Sequence, residues 1–135
     1  MTTSPGSPAS DASAAGTADV CEDTSLIGLQ VQDHDGATVV RVRGEVDMVT
    51  TPRLRSCLQD RLASTPQRLV VDLSAVSFLG SSGLAVLVEC LEDARGRGTD
   101  LRLVAGSREV IRPLEATGLT ELFQTHRDVQ SALDG

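Results

Sequence analysis

The spacing of apolar positions changes several times along this 135-residue chain, and each change marks an element. Ile27, Leu29 and Val31 alternate with Gly28, Gln30 and Gln32, a period of two that predicts a strand. Asp33-His34-Asp35-Gly36 follows, and Asp35-Gly36 is the kind of pair that closes a hairpin. In the returning strand, Thr38 to Glu45, Val40 and Val42 face one side while Arg41 and Arg43 face the other. The period then becomes helical: Leu54, Cys57, Leu58 and Leu62 form an apolar stripe behind Thr51, the candidate N-cap, and Pro52 at the first helical position. Leu69-Val70-Val71 is a continuous apolar run, as in a strand covered on both faces, and it ends at Asp72. A short turn is expected there. Gly80-Ser81-Ser82-Gly83 then opens a second helix, lined by Leu84, Leu87, Val88 and Leu91 and ended by Gly96 and Gly98. Leu101 and Leu103 mark another strand, and Arg108 to Thr117 a third helix with Gly118 as its C-cap. Leu122-Phe123 is expected as a short last strand, with Asp128 capping a final short helix.

The order β-β-α-β-α-β-α-(β)-α predicts an α/β domain with a mixed central sheet of four to five strands and about four α-helices. Residues 1–24, whose first twenty are mostly Ser, Ala, Pro, Gly and Thr without periodicity, are expected as a disordered tail before a domain over 25–135.

Composition narrows the functional classes. The net charge is −7, so a nucleic-acid backbone would repel the chain, and only Phe78 and Phe123 could stack on bases. No run of about 18 apolar residues is present to span a membrane. No Arg or Lys precedes Arg41, so a signal peptide is not expected either, and the reading is cytoplasmic. Cys21, Cys57 and Cys90 lack metal-ligand spacing, and neither metal nor cofactor is expected. Cys57 and Cys90 fall on helical faces as small buried hydrophobes; a redox pair is the sharper alternative if their helices pack side by side. Cys21 falls in the expected tail.

Catalysis finds little support. Gly80-Ser81-Ser82-Gly83 fails the G-x-S-x-G pattern, because Leu84 stands two after Ser82. His34 and His126 sit in expected turns, unconnected to the serines by sequence. With no Lys in the chain, a Walker A loop is excluded, and so is a receiver site built on Asp72. Asp72 is read instead as accepting hydrogen bonds from the following turn. Ser81 and Ser82 remain, at a helix N-terminus between two glycines. Each could cap the helix. An accessible hydroxyl there could also carry a phosphate, which the helix dipole accommodates.

Two segments carry a family resemblance. Gly44-Glu45-Val46-Asp47 leads into Thr50, Thr51, Pro52 and Leu54; Val71-Asp72-Leu73-Ser74 leads to Phe78-Leu79-Gly80-Ser81-Ser82-Gly83-Leu84. In order and spacing they resemble the signatures of STAS domains of the anti-sigma factor antagonist family, over roughly residues 25–134. The resemblance implies the STAS fold and a non-enzymatic role in partner switching. The unphosphorylated member binds a serine-kinase anti-sigma factor and so frees a sigma factor. The kinase then phosphorylates a serine, and a metal-dependent serine phosphatase resets the cycle. Carried onto this chain, the phosphoacceptor is Ser81, and Asp47, Gly80, Ser82, Gly83 and Leu84 belong to the partner-binding surface. One departure matters: the family's Asp before the serine is Gly80 here. The alternative is a STAS scaffolding or complex-assembly module in which Ser81 is only a cap.

Overall fold

The computed structural model describes residues 27–134 and the backbone of 18–23. Six strands form one sheet in sequence order: β1 (Ala18–Asp23), β2 (Ile27–His34), β3 (Ala37–Val46), β4 (Arg68–Leu79), β5 (Asp100–Val104) and β6 (Gln124–His126). The first three run antiparallel, and β3 to β6 run parallel, so the sheet is mixed. Each parallel step needs a crossover, supplied by α1 (Thr51–Ala63), α2 (Ser81–Arg97) and α3 (Arg108–Ala116) with a 3-10 turn at Leu119–Glu121. A short α4 (Val129–Asp134) ends the chain.

Alternation sorts the two faces. Val40, Val42, Leu69, Val71, Leu73, Leu101 and Leu103 join Leu54, Leu58, Leu62, Leu87, Cys90, Leu91, Val110 and Leu114 in the main core under α1, α2 and α3. Val39, Val70 and Val104 point to the other face, where Ala132 of α4 covers them with Val129 and Leu133. Arg41 and Arg43 also lie on that face, beyond the part that α4 covers, and both are exposed.

Four expectations need correction. The tail expected to reach residue 24 gives way at Ala18 to β1, which pairs with β2 through Val20↔Gln30 and Asp23↔Gly28; with β1 counted, the sheet has six strands rather than four to five. Residues 1–17 lie outside the described chain. The turn expected after Asp72 is strand instead. The register slips between Arg41↔Asp72 and Arg43↔Ala75, and again between Gly44 and Glu45, where Gly44 takes φ +97°. These bulges let β4 run on to Leu79 with its polar groups paired inside the ladder. Thr50, not Thr51, is the N-cap of α1. The last strand begins at Gln124, because Leu122 and Phe123 close the 3-10 turn through bonds to the Leu119 carbonyl.

Candidate functional site

The site lies where β3 and β4 end side by side. Glu45 pairs with Phe78 and Val46 with Leu79, and the Gly80 amide donates to the Val46 carbonyl at 2.8 Å. The loop that enters α1 and the junction that enters α2 therefore leave the sheet at the same edge.

Asp47 shapes the first loop. Its Oδ1 accepts the amides of Val49 (2.9 Å) and Thr50 (3.1 Å). The Thr50 hydroxyl accepts the Asp47 amide at 2.9 Å and donates to the Glu45 carbonyl at 2.8 Å. Asp47 and the buried Thr50 thus fold the loop back on the end of β3, as an Asx turn does. The cost of that arrangement falls on Met48 and Val49, which stand 81% and 71% exposed.

The second junction is built on close approach. Gly80 is the N-cap of α2 in an extended conformation, and no side chain caps the helix. Ser81, the first helical residue, is exposed, and no hydrogen bond to its hydroxyl is found among the described residues; Ser82 is half-buried. Capping is therefore not what Ser81 does here. Gly83 and Leu84 are buried. A Cβ at Gly83 would lie 2.5 Å from Val46 Cγ1 and 2.8 Å from Leu79 Cδ1, so the missing side chain lets the first turn of α2 settle onto the strand ends. Of the surface expected around Ser81, Gly83 and Leu84 consequently turn inward, as packing. At Gly80 a Cβ would meet Phe78 Cε2 at 3.2 Å, which places the ring in the space a side chain at 80 would need. Phe78 is 51% exposed. Met48 and Val49 escaped the sequence reading, and Phe78 entered it only as an aromatic and a motif position; the only signal for their exposure was apolar residues beside a turn and out of phase with the strand.

The remaining candidates fall elsewhere. Asp72 is buried on β4, and its Oδ1 accepts the Ser74 amide (3.0 Å) and hydroxyl (2.6 Å), as expected, although inside a bulged strand. Its Oδ2 faces Arg41 Nη1 at 3.4 Å. A depression of about 360 Å³ lined by Gln30, Arg41, Arg43, Asp72 and Ser74 opens there, and none of its lining residues belongs to the Ser81 loops. Cys57 and Cys90 are buried thiols on α1 and α2. Burial pushes the Cys90 thiol up to about 12; Glu89 and Asp93 add to this and Arg55 opposes it. A thiol held so firmly protonated is poorly suited to exchange. The exposure expected of Cys21 lies outside the described side chains. His126 Nδ1 lies 3.2 Å from Ser131 Oγ, remote in sequence from Ser81. Among the described residues no cluster could hold a metal ion, and no helix is long and apolar enough to cross a membrane.

A family model described as STAS domain matches residues 28–132. The anti-sigma-F factor antagonist RsfB of Mycobacterium tuberculosis is 36% identical over 109 residues, covering 81% of this chain and 88% of RsfB. RsfA of the same organism, also an anti-sigma-F factor antagonist, is 35% identical over 105 residues, covering 76% of this chain and 82% of RsfA. The crystal structure of an anti-sigma factor antagonist from Mycobacterium paratuberculosis matches with a TM-score of 0.76 at 41% identity, over 80% of this chain and 92% of that one.

Proposed function

The chain belongs to the STAS domain family, and from that premise we propose that it is an anti-sigma factor antagonist that works by binding alone. Its partner is an anti-sigma factor of the serine-kinase type, and capture of that partner releases a sigma factor for transcription. Phosphorylation of Ser81 by the captured kinase ends the complex, and a metal-dependent serine phosphatase restores it. The cycle runs in the cytoplasm, and the chain's own residues carry out no reaction.

The observation that carries this reading is the Ser81 hydroxyl, exposed on the first turn of α2, beside a residue without a side chain and not used for capping. A kinase can reach such a group without unfolding anything. A phosphate there brings about 1.5–2 negative charges to the positive end of the α2 dipole, so the fold tolerates it. Within a protein interface the same charge must be desolvated, and the acidic groups of this chain leave it without local compensation. The modification thus acts on the complex more than on the fold.

The test is binding of the wild type, Ser81→Ala and Ser81→Glu to the kinase-type anti-sigma factors of the source cell. Wild type and Ala should bind, and Glu should not. Equal binding by all three removes the switch and leaves a constitutive antagonist. No binding by any would sink the antagonist reading. That outcome would favour a scaffolding STAS module.

A further inference from the structure

The sheet face that α4 covers only in part holds the depression of about 360 Å³ beside Asp72, a size at the lower end of small-ligand pockets. A bulge makes it. Between the pairs Arg41↔Asp72 and Arg43↔Ala75, one residue of β3 stands opposite two of β4, so β4 bends there. Bulges of this kind re-aim side chains beside binding sites. Leu29 and Val42 turn their side chains into the main core and give the depression only backbone. Gly28 completes the floor. A Cβ there would lie 2.4 Å from Arg43 Nε and 2.5 Å from Arg43 Cζ, so the bare backbone lets that guanidinium lie flat on β2. The walls are the polar groups of Gln30, Arg41, Asp72 and Ser74, and Ala75 adds only a methyl group. A cavity without an apolar wall takes a small polar ligand.

Its charges select the ligand. Asp72 is only 5% exposed, and its Oδ1 is taken up by the Ser74 amide and hydroxyl. Among the described residues, Oδ2 has Arg41 Nη1 alone, at 3.4 Å. That is long for a charge-assisted bond, which closes to about 2.7–2.9 Å. A buried carboxylate oxygen held so loosely has room for a cationic donor. The Arg41 side chain is 45% exposed, and its guanidinium has N–H groups beyond the one aimed at Asp72. The pair therefore presents a positive and a negative group side by side. Its complement is a ligand that carries a negative and a positive group side by side. We propose that the depression binds a small zwitterion of the α-amino acid type. The ligand's ammonium group donates to Asp72 Oδ2, and its carboxylate accepts from Arg41, with the Arg43 guanidinium on the floor adding positive charge. A simple anion would meet the Asp72 carboxylate, and a simple cation would meet two guanidinium groups. A zwitterion sets an opposite charge against each.

The experiment is heteronuclear NMR titration of the full chain with each of the common L-amino acids, taken to millimolar concentration. At least one should shift the amides of Gln30, Arg41 and Ser74 along a saturating curve. At about 100 times its Kd it should also raise Tm by about 4 °C or more. The N-acetyl derivative of that amino acid lacks the ammonium charge, and its primary amide lacks the carboxylate. Each should bind about tenfold more weakly or worse, as loss of a charged hydrogen bond does. Arg41→Gln and Asp72→Asn should weaken binding of the amino acid to a similar degree. If Asp72→Asn fails to fold, Arg41→Gln decides alone, since that side chain is nearly half exposed. Silence of the three amides toward every amino acid would overturn the site. Undiminished binding of the two derivatives, or of the amino acid to the folded variants, would overturn it as well. Either failure leaves the Ser81 switch standing, because no residue that lines the depression belongs to the Ser81 loops.

Discussion

At Gly80 the chain trades a polar group for an aromatic one. With no side chain at 80, the Phe78 ring occupies the space a Cβ there would need, its Cε2 3.2 Å from that position, and the mouth of the Ser81 site is apolar where the family resemblance expects a carboxylate. Cys90 is the opposite case, a reactive group type that its surroundings silence. Its thiol titrates at about 12 in the folded chain against 9.0 for an ordinary cysteine. The folded state therefore keeps this proton between about pH 9 and 12, where the unfolded chain loses it. Stability linked to Cys90 is fully present below pH 9 and drains away as pH rises toward 12. Urea midpoints measured from pH 8 to 10.5 should fall more steeply for the wild type than for Cys90→Ala. Iodoacetamide should label Cys90 at pH 8 only once urea unfolds the chain. Rapid labelling of Cys90 itself in the native protein, located by peptide mapping, would mean that the burial is wrong.

Two glycines in α2 show how an element is fitted to its place. Gly83 faces Val46 and Leu79 with no room for a methyl group, whereas Gly96 has nothing within 4 Å of the position a Cβ would take. Neither has a positive φ, so space alone separates them. Gly96→Ala should stabilise the protein by about 0.5–1 kcal/mol, the usual gain in a helix interior. Gly83→Ala should cost about 1–3 kcal/mol, because packing around a rigid strand end must shift. Urea denaturation of the pair decides the matter; equal effects would contradict the close approach of α2 to the sheet. Most elements were legible in the sequence for the same kind of reason. Alternation placed β2 and β3, Asp35-Gly36 placed the hairpin, and Asp128 does cap α4, with Oδ1 accepting the Ser131 amide at 2.7 Å. What escaped depends on distant partners. The reach of β4 past Asp72 comes from bulges against β3, and β1 comes from pairing with β2; neither leaves a local pattern. Ser81 and Asp47 were visible as motif positions. The exposure of Met48, Val49 and Phe78 became visible only when the two strand ends met.

Across the whole molecule, β4 joins two regions with separate work. Its C-terminal end delivers Phe78 and the Ser81 junction, and its N-terminal end begins at Arg68, where α4 docks. At about 3.3 Å per strand residue the two ends stand roughly 35 Å apart. With 6 residues α4 is too short to be helical alone, and it is held by its small core and by two arginines. Arg68 and Arg102 donate to the Ala132 carbonyl, and Arg68 also to that of Leu133, at the negative end of the helix dipole. Asp100 binds both guanidinium groups, at 3.2 Å for Arg68 Nε and 2.9 Å for Arg102 Nη2, and Arg102 is only 6% exposed. Removing the shared carboxylate leaves a buried cation without its counter-charge. Asp100 is itself about one-third exposed, so Asp100→Ala should cost near the low end of the about 3–5 kcal/mol typical of broken buried pairs. Hydrogen exchange should quicken first in α4, while the folded variant keeps wild-type affinity for its anti-sigma partner. Weaker binding at full folding would show that β4 transmits strain from the α4 clamp to the Ser81 edge, and that the two ends of the strand work as one device.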